Sequence, residues 1–278
     1  MASMNPILKY PGAKWRLADW ILEHMPLHES YLEPYFGSGA VFFNKPKSRI
    51  ETINDIDGAV VQFFRVCRER PDELARAIGL TPWAREEFLG SVIMDNTPAE
   101  EEVERARQYA VRCWMTFGAR ASNKKGWRHT TSKEGNGGPA NPSIWRKLPD
   151  LIYQVGERLL DAQIHNRPAL ELIHEFNGPE VLIYADPPYV RKTRTANGAQ
   201  YRFEMEDAEH TTMLEALRNH RGMVLLSGYD CPMYQEALPG WQKITKRTLA
   251  ERGAIRTECL WINSAAQCRQ IELPGVRA

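Results

Sequence analysis

The stretch Val181-Leu182-Ile183-Tyr184-Ala185-Asp186-Pro187-Pro188-Tyr189 decides the fold, because an apolar run of strand type ends there in a stiff polar turn. Each proline lacks a backbone N–H and has a fixed φ angle, and a residue before proline favours extended geometry. The turn therefore presents the Asp186 carboxylate with few competing donors. Such a site suits a planar exocyclic amine, while the Tyr189 ring offers a face for stacking. The predicted catalytic residues are Asp186, Pro187, Pro188 and Tyr189.

Composition limits the class of protein. The 278 residues are 43% hydrophobic and 26% charged, which suits one domain or a catalytic domain with an insertion. No apolar stretch approaches the ~20 residues of a membrane span, and the N-terminus lacks an export pattern. The five cysteines form no C-x-x-C pair, and no H-E-x-x-H spacing occurs. We therefore expect a cytoplasmic protein with reduced thiols, no membrane partner and no metal.

A glycine-rich turn follows a short predicted strand at Tyr35-Phe36-Gly37-Ser38-Gly39, and we expect a helix to start after it. Residues 49–55 predict the next strand, followed by a helix that buries Val60, Val61, Phe64 and Val66. Glu33 and Asp55 end these two strands. Their spacing of 22 residues is close to the ~20 expected between a glycine turn and a ribose-binding carboxylate. The pattern therefore predicts a nucleotide-type ligand site.

The order of elements predicts an α/β fold. After residue 160, predicted strands at 162–166, 180–185 and 222–229 alternate with predicted helices at 168–176 and 207–220. Residues 241–249 and 257–263 predict a hairpin, with 252–257 in its loop. We therefore expect a Rossmann-like, mainly parallel sheet with a C-terminal antiparallel hairpin. Residues 71–160 predict a mainly helical insertion, clearest at 100–117, between the two parts of a catalytic domain, 1–70 and 161–278.

Two basic segments predict contact with nucleic acid. The loop 119–147 carries seven Lys and Arg residues against Glu134 alone, a net charge of +6, with glycines, asparagines and aromatic residues interleaved. Such side chains suit phosphate contact combined with base-edge or stacking contact, although a lysine-rich surface loop is the alternative. The second segment follows Tyr189. The predicted contacts are Arg120, Asn123, Lys124, Lys125, Trp127, Arg128, Lys133, Arg191, Lys192 and Arg194.

Taken together, these motifs resemble the Dam-like adenine-N6 DNA methyltransferases over both flanks of the chain. In that family a lysine-aromatic-x-Gly-Gly-Lys segment precedes the glycine turn, and the catalytic tetrapeptide comes last. The matching segments here are Lys9-Tyr10-Pro11-Gly12-Ala13-Lys14, Tyr35-Phe36-Gly37-Ser38-Gly39, Asp55 and Asp186-Pro187-Pro188-Tyr189. Ala13 departs from the family pattern, and alanine would be strained by ~1 kcal/mol if that backbone needs a positive φ.

The resemblance implies S-adenosyl-L-methionine as cofactor and double-stranded DNA as partner. Asp55 would hold the ribose hydroxyls, and Asp186 would lie between the cofactor and an adenine flipped out of the duplex. Residues 71–160 would form the target-recognition insertion. The predicted cofactor contacts are Tyr10, Lys14, Glu33, Pro34, Tyr35, Gly37, Gly39, Asp55 and Asp186.

Several alternatives to adenine in DNA stay open at this point. The same tetrapeptide could act on the N4 amine of cytosine, an RNA base or a glutamine amide, although Asp rather than Ser or Asn at position 186 favours adenine. A catalytically silent DNA-binding protein is the alternative outside the enzyme class. We expect a bacterial or phage-encoded protein acting on chromosomal or phage DNA. The recognised DNA sequence, a homodimer and a cognate restriction endonuclease stay open.

Overall fold

The computed structural model describes residues 4–93, 101–116, 126–129, 141–194, 201–249 and 255–271. Within these ranges the strands are β1 (Ser30–Glu33), β2 (Ile50–Asn54), β3 (Ala162–His165), β4 (Val181–Ala185), β5 (Met223–Gly228), β6 (Gln242–Leu249) and β7 (Ile255–Ile262). The α-helices are α1 (Ala18–Glu23), α2 (Gly58–Glu69), α3 (Pro71–Leu80), α4 (Arg85–Ile93), α5 (Glu102–Met115), α6 (Asn141–Trp145), α7 (Leu148–Leu159), α8 (Ala169–Glu175), α9 (Asp207–Arg218), α10 (Pro232–Ala237) and α11 (Ser264–Ile271).

The strands form one sheet in the order β3-β2-β1-β4-β5-β7-β6. The first five strands in this order are parallel, β7 is antiparallel to β5, and β6 is antiparallel to β7. This confirms the predicted α/β fold with its C-terminal hairpin. Strand order reverses between β1 and β4, and ligands of open α/β sheets bind in the crevice at the carboxyl ends of the strands at such a point.

The central strands are buried on both faces, as expected for parallel strands covered by helices. All residues of β1, β4 and β5 are buried. Helix α2 buries Phe63 rather than the predicted Val61, because a helical face repeats at three and four residues from Val60 and Phe64.

The described helices of residues 71–160, which were predicted to form an insertion, pack directly on the sheet layer. One continuous hydrophobic cluster includes Phe63 of α2, Tyr109 of α5 and Ile152 of α7. Helix α7 is also tied to β2, because Arg158 donates to Glu51 at 2.8 Å and Lys45 donates to the same carboxylate at 2.6 Å. The three side chains are almost fully buried. The helices of residues 71–160 and the sheet therefore share one core.

Several local expectations are corrected. Residues 39–45 form successive turns rather than a helix, with the amide of Phe43 bonded to the carbonyl of Gly39 at 2.9 Å. Helices α1, α10 and α11 were not predicted. Ile255–Thr257, expected in the hairpin loop, belong to β7. Within the loop 119–147, α6 is helical and Trp145 is buried, with its indole N–H bonded to Thr81. Of the residues described, no helix has the length and apolarity needed to cross a membrane.

Candidate active site at the carboxyl ends of the strands

A cavity of about 510 Å³ lies at the carboxyl ends of β1, β2 and β4, beside the reversal of strand order. Eight of the nine predicted cofactor contacts line it; Gly39 does not, although its neighbours Ser38 and Ala40 do. Of the predicted catalytic residues, Asp186 and Pro188 line the cavity. The reversal of strand order between β1 and β4 thus brings together residues that are far apart in the sequence.

The first wall of the cavity is the turn at Tyr10, which explains the departure at Ala13. Gly12 has a φ of +72°, and the Ala13 amide donates to the Tyr10 carbonyl at 3.2 Å. Pro11 precedes Gly12, so this is the Pro-Gly arrangement in which the third turn residue needs a positive φ. Glycine already fills that position. Ala13 therefore comes after the position that needs a positive φ, and it is not strained by the turn.

The second wall of the cavity contains Asp55, the residue that follows β2. Its two carboxylate oxygens accept from the amides of Gly37 and Asp57, both at 2.8 Å. Burial raises the pKa of Asp55 to about 7, although both backbone hydrogen bonds oppose the rise. Asp55 therefore fastens the glycine turn to the start of α2, while its carboxyl group faces the cavity.

The predicted catalytic carboxylate, Asp186, is paired with Lys14. The Lys14 ammonium lies 3.0 Å from Asp186 Oδ1 and 4.7 Å from the centre of the Tyr189 ring, and it donates to the Gly12 carbonyl at 2.7 Å. Burial raises the pKa of Asp186, and Lys14 offsets part of this rise. Burial alone would lower the pKa of Lys14, but the carboxylates of Asp186 and Glu258 outweigh it and raise the pKa. Lys14 therefore connects the two predicted catalytic side chains as a charged group.

The lining of the cavity is rich in carboxyl groups. Of its described residues, six carry carboxyl groups and Lys14 is the one base; the acids are Glu33, Asp55, Asp57, Asp186, Glu204 and Glu209. Glu33 accepts the Tyr31 hydroxyl at 2.7 Å, and burial raises its pKa to about 8. The described part of the chain contains no group of three or more His, Cys, Asp or Glu side chains that could hold a metal ion. An acidic lining favours a cationic ligand.

Sequence reasoning missed several lining residues. Ile56 and Asp57 follow Asp55 directly, so their place after a strand was an available signal; Asp57 also caps α2 by accepting the Ala59 amide at 3.0 Å. Tyr201 and Phe203 come from a segment with no recognisable motif. Tyr201 packs so closely on Gly12 that a Cβ there would lie 2.4 Å from its hydroxyl oxygen.

The predicted DNA contacts separate into three groups. Arg120, Asn123, Lys124, Lys125 and Lys133 lie outside the described residues. Trp127 and Arg128 are attached to the end of α5: Trp127 forms an isolated bridge with Thr116 and packs on the core, and the Arg128 amide donates to the Met115 carbonyl at 2.7 Å.

The third group follows the tetrapeptide. Arg191 and Lys192 are exposed and pair with Glu206 and Asp207, both at 3.0 Å. Exposed ion pairs contribute little, about 0–1 kcal/mol, so both cations can exchange their partners for phosphates. Arg194 is different, because its side chain is 6% exposed and pairs with Glu204 at 2.7 Å. It also donates to the Tyr189 carbonyl, so its guanidinium group points into the protein and away from solvent.

Comparison with known proteins gives a consistent result. A DNA adenine methylase of Salmonella typhi is 25% identical over 275 residues, covering 92% of this chain and 93% of that protein. The DNA adenine methylase of Escherichia coli K12 is 25% identical over 270 residues, with 92% and 93% covered. The Type II methyltransferase M.MjaIII of Methanocaldococcus jannaschii is 24% identical over 275 residues, with 90% and 92% covered.

The family comparison is decisive. The model of the D12 class N6 adenine-specific DNA methyltransferases matches residues 10–250, which includes both flanks and the insertion. It confirms the prediction of a site-specific adenine DNA methyltransferase over the cytosine, RNA and protein alternatives. The chain therefore belongs to the D12 class of N6 adenine-specific DNA methyltransferases.

Proposed function

We propose that this chain binds S-adenosyl-L-methionine in the 510 Å³ cavity and uses Asp186 to direct the N6 amine of an adenine extruded from double-stranded DNA. The observation that carries the proposal is the position of Asp186 at the end of β4, on the lining of the cavity and at the reversal of strand order. We place this activity in the cytoplasm, on chromosomal or phage DNA. Residues 71–160 serve as the target-recognition insertion.

The residues of the cavity fit the cofactor. A ligand that carries both a sulfonium and an ammonium charge would favour the ionised forms of Glu33 and Asp55, whose pKa values burial raises to about 8 and about 7. Ile56 and Phe203, each 43% exposed, supply apolar surface at the cavity for an adenine ring. Asp55 would accept from the ribose hydroxyls, because each of its oxygens has one lone pair left after bonding to the backbone.

S-adenosyl-L-methionine, when bound, supplies an electrophilic methyl group on its sulfonium. The protein orients the nucleophile. The Asp186 carboxylate and the Pro187 carbonyl accept the two hydrogens of the amine, which localises the nitrogen lone pair, and Asp186 takes up the proton that the amine releases. The rate gain comes from orientation and from charge placed before the reaction.

Space for an extruded base supports the same proposal. A second cavity of about 660 Å³ is lined by Val190, Tyr229 and Arg256, next to the tetrapeptide. The Tyr189 ring meets the Tyr229 ring edge-on, with 4.5 Å between ring centres. Enzymes that modify a base within a duplex take it out of the stack and hold it on aromatic side chains. Tyr189 itself lines neither cavity, and we assign the stacking role to it because its ring contacts Tyr229, which lines the second cavity.

Replacing Asp186 tests this function. Asp186→Ala should fold and bind S-adenosyl-L-methionine, yet lose methyl transfer to DNA by about a thousandfold or more, because the amine is no longer oriented. Transfer of labelled methyl groups to DNA measures the rate, and calorimetry measures cofactor binding. Asp161→Ala is the matched control, since Asp161 is exposed and precedes β3 at the opposite edge of the sheet. A fully active Asp186→Ala protein would refute the proposed chemistry.

A further inference from the structure

Glu258 is a buried carboxylate that the hairpin contributes to the active site. It lies on β7, outside the parallel part of the sheet, and is 9% exposed. Its Oε2 accepts the hydroxyl of Tyr189 at 2.6 Å, and Tyr189 is 6% exposed. A residue of the antiparallel hairpin therefore holds the last residue of the catalytic tetrapeptide.

The register of the sheet explains why Glu258 reaches this place. Cys259 pairs with Gly228 at the carboxyl end of β5, so in this antiparallel register the preceding residue, Glu258, lies beside Tyr229. Tyr229 packs against the Tyr189 ring in a T-shaped contact and accepts a hydrogen bond from Arg256 at 3.1 Å. The end of β5 and the beginning of β7 thus form one support for the Tyr189 ring.

A carboxylate in this position has a cost that a neutral acceptor would avoid. Removing an ionised carboxylate from water costs several kcal/mol unless charge and hydrogen bonds compensate it. Lys246 is opposite Glu258 in register, but its ammonium lies over the Trp20 ring, 5.7 Å from the ring centre. The compensation near Glu258 comes instead from the Tyr189 hydroxyl and from Lys14, whose pKa Glu258 helps to raise. Glu258 is therefore linked to the chemical site rather than to the hairpin surface.

Tyr189 is held at its backbone and at the far end of its side chain. Arg194 donates to its backbone carbonyl, and Glu258 accepts its hydroxyl. The torsion that turns a tyrosine ring has a broad energy profile, so the backbone alone does not fix the ring plane. The hydroxyl oxygen lies on the axis of this torsion, but a phenolic hydrogen prefers the plane of its ring; an acceptor at a fixed position, together with the T-shaped contact with Tyr229, therefore favours one ring plane.

We propose that Glu258 is a positioning residue for methyl transfer: through the Tyr189 hydroxyl it fixes the plane of the ring on which the extruded adenine stacks. This inference rests on the proposed role of Tyr189. It gives the C-terminal hairpin a part in the reaction, although Glu258 itself touches no substrate.

The test uses the full chain with Glu258→Ala, Glu258→Gln, Tyr189→Phe and the double variant Glu258→Ala/Tyr189→Phe. Glu258→Ala should lower kcat about 10- to 100-fold, because a displacement of the reacting groups by about 1 Å can cost about 100-fold. The KM for DNA and the affinity for S-adenosyl-L-methionine should change less than about threefold, since the ring plane affects the reacting geometry rather than binding. Glu258→Gln keeps an acceptor and should keep kcat within about threefold of wild type.

The double variant separates positioning from structural damage. If Glu258 acts through the Tyr189 hydroxyl, both substitutions remove the same hydrogen bond. The kcat of Glu258→Ala/Tyr189→Phe should then lie within about twofold of the kcat of the slower single variant. Thr245→Ala, an exposed change on β6, is the hairpin control and should behave as wild type. If Glu258→Ala does not fold, Glu258→Gln and Tyr189→Phe test the inference in its place. A kcat of Glu258→Gln well below that of wild type would overturn it, and so would a wild-type kcat in Tyr189→Phe.

Other outcomes also decide. Wild-type kcat in Glu258→Ala, or losses that multiply in the double variant, overturn the positioning role. Asp186→Ala is measured in parallel: if it is inactive while Glu258→Ala is fully active, the positioning inference alone fails. If Asp186→Ala is active, the proposed function of the site fails.

Discussion

Glu33 ends β1 as a buried carboxyl group, 2% exposed, on the lining of the cavity. Burial raises its pKa from an ordinary 4.5 to about 8, although the Tyr31 hydroxyl opposes the rise. Between these two values the folded protein keeps the proton that the unfolded chain has lost. The contribution of Glu33 to stability is therefore fully present below about pH 4.5 and is lost as the pH rises to about 8. A cationic cofactor favours the ionised form and would lower this pKa.

Glu33→Gln should remove this dependence on pH. A glutamine keeps an acceptor and can donate to the Tyr31 oxygen, but it does not ionise. The free energy of unfolding of the variant relative to wild type should therefore rise between pH 5 and pH 9, by on the order of 3 kcal/mol. Urea denaturation of the cofactor-free protein at several pH values measures this difference.

The matched control is Glu215→Gln on the exposed face of α9. Its effect on the free energy of unfolding should stay within about 0.5 kcal/mol at every pH, as for most surface changes. Parallel stability curves for Glu33→Gln and wild type from pH 5 to pH 9 would contradict the assignment of a raised pKa to Glu33.

The position of some site residues could be predicted from the sequence, and that of others could not. Asp55 and Asp186 could be predicted to lie on the ligand site, because each follows an apolar strand and parallel strands end at one edge of the sheet. Glu258 could not, because its contact with Tyr189 depends on the register between β5 and β7, which the local sequence does not encode. Arg194 was predicted as a DNA contact on charge alone, whereas its burial depends on Glu204, ten residues later.

Among the elements, the glycine turn that follows β1 needs glycine at position 39 for two reasons, its backbone conformation and its close packing. Gly39 has a φ of +68°, and an added Cβ would lie 2.5 Å from ring atoms of both Phe36 and Phe43. Gly39→Ala should therefore lower the free energy of unfolding by about 2–4 kcal/mol, of which roughly 1–2 kcal/mol is backbone strain and the rest overpacking. Urea denaturation measures the loss, and calorimetry should show weaker cofactor binding.

Gly240 provides the control for backbone strain alone. Its φ is +81°, yet nothing lies within 4 Å of an added Cβ. Gly240→Ala should therefore cost only the backbone contribution of about 1–2 kcal/mol, and the difference between the two variants measures overpacking in the turn. Equal losses in both variants would show that the aromatic rings around Gly39 can move aside.

Elements with a strong repeating pattern were predicted well, and short ones were not. Helix α5 was predicted at 100–117 and spans Glu102–Met115, because its apolar residues recur on one face over several turns. Helices α1 and α10 have six residues each, which is too short for a pattern to repeat. The helix expected after Gly39 is replaced by turns in which consecutive aromatic residues at 42 and 43 are both buried.

At the scale of the whole molecule, acidic and basic side chains are concentrated in different parts of the chain. The net charge is +1, yet the cavity lining is acidic and the segment 119–147 carries +6. An acidic cavity favours a cationic cofactor, whereas a basic segment favours the phosphate backbone. In the described residues, helices of residues 71–160 share one hydrophobic core with helix α2 and the sheet.

The basic segment 119–147 should govern the salt dependence of DNA binding. Lys124→Ala/Lys125→Ala should weaken binding to specific and nonspecific duplexes alike and reduce the slope of log affinity against log salt by about 1–2, because each lost phosphate contact releases about 0.9 fewer counterions. Fluorescence anisotropy over a range of salt concentrations measures the slope. Affinity for S-adenosyl-L-methionine should be unchanged.

The control has to remove the same charge from elsewhere on the molecule. Lys47 and Arg49 are exposed and precede β2, at the edge of the sheet opposite the cavity. Because a phosphate backbone held at the carboxyl edge lies beyond the ~8–10 Å screening length from that opposite edge, Lys47→Ala/Arg49→Ala should leave the salt slope unchanged. Equal slopes for both double variants and wild type would mean that the charge of the segment 119–147 does not contact phosphate, and DNA binding would then depend on Arg191 and Lys192 beside the tetrapeptide.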